Sequence, residues 1–417
     1  MSASEDLFAA MSAPPEKVAF EPTRSAGIAR MEQFAIRTGA HYASKRNYDL
    51  GANNRSTVSA LSPWIRHRLI TEEEVLTQTL ARYSPSTAMK FIQEVFWRGY
   101  FKGWLEQHPS VWNSYKQGVR TAQNRLHSNA ELNADYIGAI EGRTGIACFD
   151  HWCRELVETG YLHNHARMWF ASIWIFTLRL PWELGADFFL NHLIDGDSAS
   201  NTLSWRWVGG LHTKGKTYLA RQDNIAKYTD GAFKPIGQLA KTTLPLFEDD
   251  IHPVVPLEPM ARQAHGDHLL LVTAEDCRPD DFIPEGASGI IGLGVPLKHG
   301  QSNQQHAFKT GAIGDALDRL GAPPNVAVTD DWATAIIAAA QAVGIKHVVT
   351  PFAPVGDVAT KLAALQATLA TEGITLYQHR RPYDTHTWPH ATKGFFKLKK
   401  MIPTILSTLG HAHVEGP

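Results

Sequence analysis

Residues 193–201 gather side-chain types that could do chemistry together. They read Leu-Ile-Asp-Gly-Asp-Ser-Ala-Ser-Asn, and Trp205 and Trp207 follow shortly after. Two carboxylates, a carboxamide and two indoles so close together are an unusual mixture for a solvated loop or for an apolar core. The chain has twelve tryptophans, an excess that serves large cores, stacking surfaces or electron-transfer routes, of which a core is the commonest use. This segment is therefore the first candidate for a functional site.

The order Ile-Asp-Gly-Asp, Asn and Trp-x-Trp in this segment resembles the flavin-binding signature of the photolyase/cryptochrome family. Three further segments resemble the same family in the same order, at 42–46, 59–66 and 160–168. A lone Asp-Gly-Asp occurs by chance, whereas four ordered matches over residues 27–230 do not. The resemblance implies a flavoprotein with FAD as its cofactor. No metal site is expected, and no residue identifies a site for an antenna chromophore.

The resemblance assigns FAD binding to residues in these segments and in one further helix. They are Tyr42, Ser59, Leu61, Ser62, Arg98, Arg167, Asp195, Asp197 and Asn201. Arg167 and Asp195 are implied to form a buried ion pair under the flavin ring, since a lone buried charge is costly. Asp197 is implied to lie near the ring edge or the ribose, and Asn201 near the flavin N5. The two serines of this set have a second interpretation, as helix caps.

Residues 93–101 resemble a helix of the same family that reads Glu-x-x-Trp-Arg-x-x-Tyr. Glu94 and Trp97 share one face of such a helix, where an exposed charge and a core aromatic are the simpler interpretation. The resemblance implies instead a pocket for a cyclobutane pyrimidine dimer that is flipped out of UV-damaged DNA. The implied pocket residues are Glu94, Trp97, Asn164, Met168 and Trp207. Reduced FAD would donate an electron to the dimer in light, so no general base or nucleophile is required.

Two tryptophans match members of the chain of indoles that photoreduces the flavin in this family. They are Trp205 and Trp182, although Trp182 could also be a core residue after Pro181. The third indole of the family is missing, because residues 127–131 contain no tryptophan. Candidates to replace it are Trp112, Trp152, Trp169 and Trp174.

The charge of the chain bears on its partner. The net charge is −1, so a DNA contact needs a local basic patch, because phosphate contacts supply much of DNA affinity. Such a patch is predicted at Arg46, Lys214, Lys216 and Arg221. Tyr161 stands where the family has a tryptophan, and His165 where a phosphate-binding arginine is common. These departures leave two alternative functions open. One is a blue-light photoreceptor that signals through a protein partner, and the other is a flavin-binding fold without photochemistry.

Composition and cysteine use indicate a soluble globular protein. Of 417 residues, 44% are hydrophobic and 19% charged, which is ordinary for that class. The three cysteines include no Cys-x-x-Cys pair, which favours a reducing compartment and excludes a Cys-ligated iron–sulfur cluster. The longest apolar run, 168–178, is too short to cross a bilayer, and no secretory signal is recognisable. We expect a cytoplasmic monomer without a membrane segment.

Apolar patterning predicts the fold class α + α/β. Residues 1–25 read as a polar tail, and 26–243 as an all-helical FAD-binding domain. Residues 244–266 form a proline-rich linker, and 267–417 are predicted as a doubly wound parallel α/β domain. Strand-type runs near 268, 289, 325, 347 and 374 alternate with helical stretches at 302–320, 331–343 and 355–371. This domain resembles the one that opens photolyases, so the domain order is reversed here.

Overall fold

The computed structural model describes residues 15–257 and 266–411. Parts of the predicted tail and of the predicted linker, at 1–14 and 258–265, lie outside the described residues, as do 412–417. Contacts divide the chain into two units. The first contains the described residues of Met1–Ala19, with Ile36–Ala60 and His108–Pro253; the second contains Phe20–Ala35, Leu61–Gln107 and the described residues of Val254–Pro417. The linear domain bounds above stay a prediction.

The first half of the chain is helical, as predicted. Its helices are α1 (Arg24–Ala35), α2 (Ala40–Lys45), α3 (Ser62–Arg66), α4 (Glu72–Leu80), α5 (Pro85–Glu106), α6 (Pro109–Ser128), α7 (Ala130–Ile140), α8 (Ala147–Thr159), α9 (Asn164–Ser172), α10 (Trp182–His192), α11 (Ser198–Gly209) and α12 (Gln222–Tyr228). Local sequence signals set several starts. Thr71 and Glu74 form a capping box at α4, and Ser84 caps α5 ahead of Pro85.

A parallel sheet follows these helices in the sequence. Its strands are β1 (His268–Val272), β2 (Ala287–Gly294), β3 (Val326–Val328), β4 (His347–Pro351) and β5 (Thr375–His379). The helices are α13 (Asn303–Arg319), α14 (Trp332–Val343), α15 (Asp357–Thr371), α16 (Pro382–Thr387), α17 (Phe395–Lys399) and α18 (Ile402–Thr408). The strand order is β3-β2-β1-β4-β5, with every neighbouring pair parallel. The predicted fold class, helices before a parallel α/β segment, is confirmed.

Burial of apolar side chains between the strands and the covering helices stabilises the sheet. Leu269 and Leu271 of β1 are buried in one cluster with Val348 of β4 and Ile336 of α14. Parallel strands covered by helices need such continuous apolar runs. The crossover from β1 to β2 differs from a regular doubly wound fold. It has a 3₁₀ turn at Pro279–Asp281 in place of an α-helix.

Buried ion pairs unite the second unit across long sequence separations. Arg68 Nη2 donates to both carboxylate oxygens of Asp384, at 2.8 and 2.7 Å. Arg381 donates to both oxygens of Asp276, at 2.6 and 2.9 Å. Burial opposes ionisation of Asp276, but Arg381 and Arg68 hold the pKa of this carboxyl below its usual value. These pairs join the residues between α3 and α4 to the α/β segment, so both belong to one unit.

The apolar run at 168–178 is interior, as its sequence predicts. Helix α9 ends at Ser172, and a π-helix, Ile173–Thr177, continues from it. Trp169 and Trp174 in this run are fully buried. Within 15–257 and 266–411, no helix combines the length and apolar character needed to span a membrane.

Candidate functional site

Arg167 and Asp195 form the predicted ion pair inside the first unit. Arg167 Nη2 donates to Asp195 Oδ2 at 2.8 Å, and Arg167 Nε donates to the backbone carbonyl of Leu162 at 2.9 Å. Asp195 is buried, and its Oδ1 has no hydrogen-bond partner among the described residues. A buried acceptor left unpaired costs about 1–3 kcal/mol. This oxygen is therefore suited to accept a hydrogen bond from an N–H group of a bound ligand, such as the flavin of FAD.

Tyr161 precedes Arg167 in the sequence, and its ring packs against the guanidinium of the Arg167–Asp195 pair. Its ring lies 5.2 Å from the Arg167 guanidinium and 4.9 Å from that of Arg55. A tyrosine ring attracts a nearby cation through its quadrupole. Although Tyr161 replaces the tryptophan of the family pattern, it keeps an aromatic face against Arg167.

Asp197 and Asn201 are tied to the backbone. Asp197 is the N-cap of α11, where its Oδ1 accepts a hydrogen bond from the backbone N–H of Ser200 at 2.8 Å. A capping carboxylate stabilises a helix by about 1 kcal/mol. Asn201 Nδ2 donates to the carbonyl of Ala186 at 2.8 Å. Both side chains are buried, and their predicted contacts with FAD stay predictions.

The predicted pocket residues that belong to the first unit are more exposed than Asp195. Asn164 is exposed and Met168 is half-buried. Asn164 Nδ2 lies 4.0 Å from Met168 Sδ, as expected for one face of α9. Trp207 is 37% exposed, and its ring stacks on Tyr218 with centroids 5.5 Å apart. An amide, a thioether and an indole are thus available to a planar ligand.

The predicted pocket residues that belong to the second unit lie on α5. Glu94 and Trp97 are half-buried. One face of Trp97 stacks on Phe395, with centroids 3.8 Å apart and planes at 11°. Arg98 Nε lies 3.6 Å from Glu72 Oε1, at the edge of the buried ion pairs of this unit. The structure therefore gives Arg98 and Trp97 partners that the sequence did not indicate.

The residues around α3 correct one interpretation. The N-cap of α3 is Leu61, without a side-chain hydrogen bond, and Ser62 is the first helical residue. Neither Ser59 nor Ser62 occupies the capping position, so the helix-cap interpretation of these serines is wrong for α3. Tyr42, a predicted FAD residue, lies on α2 and is buried.

The residues predicted to bind FAD or the dimer are divided between the two units. In the first are Tyr42, Ser59, Asn164, Arg167, Met168, Asp195, Asp197, Asn201 and Trp207; in the second are Leu61, Ser62, Glu94, Trp97 and Arg98. Inside the first unit, the structure brings Arg167 to Asp195 and Asn164 to Met168.

Aromatic contacts extend from both predicted electron carriers. Trp205 is buried, and its ring centroid lies 6.2 Å from that of Trp174. Trp174 in turn lies 6.1 Å from the ring of half-buried Tyr136. Trp182 is also buried, with its centroid 5.6 Å from that of Tyr115. Sequence analysis missed both tyrosines, because neither lies in a segment that resembles the family.

The other candidate tryptophans lie in two places. Trp112 contacts Tyr115, with centroids 5.3 Å apart. Trp152 and Trp169 stack on each other at 5.4 Å. Contacts therefore link Trp174 directly to Trp205, and Trp112 to Trp182 through one tyrosine.

A cavity of about 340 Å³ opens beside Trp182 in the first unit. Tyr115, Glu183 and Arg206 are among the residues that line it. Burial raises the pKa of the Glu183 carboxyl. None of the five predicted pocket residues borders this cavity.

The predicted basic residues all belong to the first unit. Lys214, Lys216 and Arg221 are exposed, and Arg46 is half-buried. Burial, with a smaller contribution from Arg46, lowers the pKa of His165 to about 4. His165 is therefore neutral at physiological pH and supplies no charge at the position where the family often has an arginine.

Comparisons with known proteins bear on this arrangement. Residues 91–247 match the family model of the FAD binding domain of DNA photolyase. Deoxyribodipyrimidine photo-lyase of Synechococcus is 30% identical over 194 residues, which is 45% of this chain and 38% of that protein. The enzyme of the same name from Escherichia coli is 30% identical over 207 residues, 48% of this chain and 42% of that protein. The chain thus matches about two fifths of the length of these relatives.

Solved structures show weaker similarity. A cryptochrome of Synechocystis aligns with a TM-score of 0.42 and 24% identity, over 52% of this chain and 46% of that one. A bacterial class III photolyase from Agrobacterium tumefaciens aligns with a TM-score of 0.42 and 22% identity, over 50% of this chain and 43% of that one. The matched segment and the curated relatives show that residues 91–247 are similar to the FAD binding domain of DNA photolyase, the family that the ordered motifs resemble.

Proposed function

We propose that the protein binds FAD without a covalent bond and repairs cyclobutane pyrimidine dimers in UV-damaged DNA, by light-driven electron transfer. The observation that carries this proposal is the Arg167–Asp195 pair, in which the buried Oδ1 of Asp195 has no hydrogen-bond donor within residues 15–257 and 266–411. The matched FAD-binding segment and the photo-lyase relatives support it. The cytoplasmic location and the monomeric state expected from the sequence belong to the same proposal.

The residues of the chain hold and orient the cofactor. Those proposed to do so are Tyr42, Ser59, Leu61, Ser62, Arg98, Arg167, Asp195, Asp197 and Asn201. Arg167 pairs with Oδ2 of Asp195, which leaves Oδ1 as an acceptor for an N–H group. The chemistry that FAD supplies when bound is absorption of light and transfer of one electron.

Five residues are proposed to hold the flipped dimer. Glu94 and Asn164 hydrogen-bond the pyrimidine edges, Met168 gives apolar contact, and Trp97 and Trp207 stack against the bases. The exposure of Asn164 and Trp207 supports this role, because a substrate pocket must be open. Phe395 covers one face of Trp97, so the dimer would use the other face.

Trp205 and Trp182 are proposed to carry electrons that restore the reduced cofactor. The contact between Trp205 and Trp174 supports Trp174 as a replacement for the missing third indole. The cavity beside Trp182 supports entry of a reductant such as a small thiol.

A blue-light photoreceptor that signals through a protein partner is the second candidate. The neutral His165 favours it, because one phosphate contact of the family is lost. The net charge of −1 acts in the same direction. Arg46, Lys214, Lys216 and Arg221 are the proposed DNA contacts that would offset this loss.

The deciding experiment is a repair assay on the full chain. Protein with chemically reduced FAD is illuminated with dimer-containing oligothymidylate, and the recovery of thymine absorbance is followed. We expect recovery in light and none in the dark. Glu94→Gln should weaken dimer binding by about tenfold without loss of FAD, since it removes a charged hydrogen-bond acceptor. Absence of recovery in FAD-loaded protein would leave the photoreceptor as the better account.

A further inference from the structure

Helix α17 of the second unit presents an aromatic ring to solvent. Phe396 is 74% exposed, and the ammonium of Lys399 lies 5.9 Å from its ring centroid. Further lysines at 393, 397 and 400 are exposed around it. We call this surface the Phe396 patch; it consists of Lys393, Phe396, Lys397, Lys399 and Lys400.

The patch is a local excess of positive charge. The sequence has no acidic residue between Asp384 and Glu415. Across the part of the chain that the structure describes, none of the four lysines forms an ion pair; Lys397 Nζ donates to the hydroxyl of Thr392 at 2.7 Å. Because the whole chain has a net charge of −1, this cluster is not a sample of a generally basic surface.

Packing fixes the direction of the ring. Phe395 and Leu398 are buried, and Phe395 stacks on Trp97. Since helical residues one position apart point to different sides, anchoring Phe395 directs Phe396 outward. The exposure of Phe396 thus follows from the packing of its neighbour.

A second exposed phenylalanine shows what charge adds. Phe247 is also 74% exposed, but Glu248, Asp249 and Asp250 follow it directly. A single exposed apolar side chain is common and needs no ligand. What distinguishes Phe396 is its set of lysines without acidic partners, which complements a polyanion.

We infer that the Phe396 patch binds single-stranded nucleic acid. Phe396 stacks on one base, and Lys393, Lys397 and Lys400 contact neighbouring phosphates. An aromatic platform beside cations is the general means of binding single strands without sequence preference. This surface goes beyond the function proposed above, because the four basic residues proposed there to contact DNA phosphates all belong to the first unit and because it requires neither FAD nor damage.

The apolar residues nearby favour a nucleic acid over a membrane. The neighbouring helix α18 buries Ile402, Ile405 and Leu406. An interfacial helix needs a continuous apolar face to enter a bilayer. One exposed ring is instead matched to one base.

The test measures fluorescence anisotropy of a labelled, dimer-free oligothymidylate with the full chain in the dark. Phe396→Ala should weaken binding by about tenfold, the loss of one stacked base. Lys397→Gln with Lys400→Gln should reduce the slope of log affinity against log salt by about 0.7 for each lysine. The matched controls, Phe247→Ala and Lys241→Gln, should leave both quantities unchanged.

Three results would overturn the inference. They are unchanged affinity in Phe396→Ala, an equal loss in Phe247→Ala, and patch-dependent binding to phosphatidylserine vesicles without binding to the oligonucleotide. Because the probe carries no dimer and the assay uses no light, failure here leaves the repair proposal intact. Failure of repair likewise leaves this assay unaffected.

Discussion

Two regions of the first unit differ in how far their side chains are held by hydrogen bonds and burial. Arg167, Asp195 and Asn201 are held by hydrogen bonds. The carboxylate of Asp195 and the amide of Asn201 are both buried. Asn164 and Trp207 are exposed. We propose that the first region holds a resident cofactor and that the second receives the substrate. The difference teaches that cofactor retention and substrate binding should respond to different substitutions.

The largest expected effect is that of Asp195→Ala. It leaves Arg167 without its carboxylate and removes the free acceptor, so we expect loss of FAD and a fall of about 3 kcal/mol in the free energy of unfolding. This is the low end for a buried pair, because the Arg167 side chain is 23% exposed. Denaturant unfolding and flavin absorbance measure the two effects.

An exposed pair provides the control for that substitution. Arg221 and Asp223 lie 3.3 Å apart with side chains 66% and 72% exposed. Asp223→Ala should change neither stability nor FAD content, since exposed pairs contribute little. Equal behaviour of the two variants would show that burial of the Arg167–Asp195 pair does not matter for FAD retention or stability.

Trp205→Phe should slow or abolish photoreduction of the flavin, because phenylalanine is much harder to oxidise than tryptophan. Repair should persist when the cofactor is reduced chemically. Trp174→Phe tests the contact of Trp174 with Trp205 in the same assay, read as the rate of flavin bleaching in light with a thiol. If both variants photoreduce as fast as the wild type, electrons arrive by another path.

Trp207→Ala should reduce affinity for dimer-containing DNA by about five- to a hundredfold through lost stacking. FAD content and unfolding should not change, because this indole is partly exposed and not part of the core. Binding is measured by anisotropy beside the FAD content of the same sample. Loss of FAD in this variant would show that the two regions do not separate cofactor retention from substrate binding.

The remaining expected effect is one of pH on stability. His165 has a usual pKa of 6.5, lowered to about 4 in the fold by burial. The unfolded chain therefore binds more protons than the fold between these values, and stability falls as the pH drops from 6.5 to 4. His165→Asn should remove about 1–3 kcal/mol of that loss, seen in unfolding midpoints across this range. An unchanged slope would show that His165 titrates normally.

Local patterns predicted the elements well. The apolar runs near 268 and 347 became β1 and β4, and the helical stretch at 331–343 became α14. The Arg167–Asp195 pair was implied by motif resemblance, and the structure contains it. These features depend on neighbours in sequence or on a recognised motif, so the sequence carries them.

Long-range contacts were not predictable in the same way. The stacking of Trp97 on Phe395 and the pairing of Arg68 with Asp384 join residues far apart in the chain. Periodicity reports which face of a helix is apolar, but not which distant residue covers it. For this reason the grouping of α3, α4 and α5 with the α/β segment came only from the structure.

The flavin content of the purified wild-type protein tests the central claim most directly. We predict a coloured protein from which denaturation releases one FAD per chain, because Asp195 Oδ1 is a buried acceptor with no donor in the part of the chain that the structure describes. A colourless protein that takes up no added FAD would contradict the account.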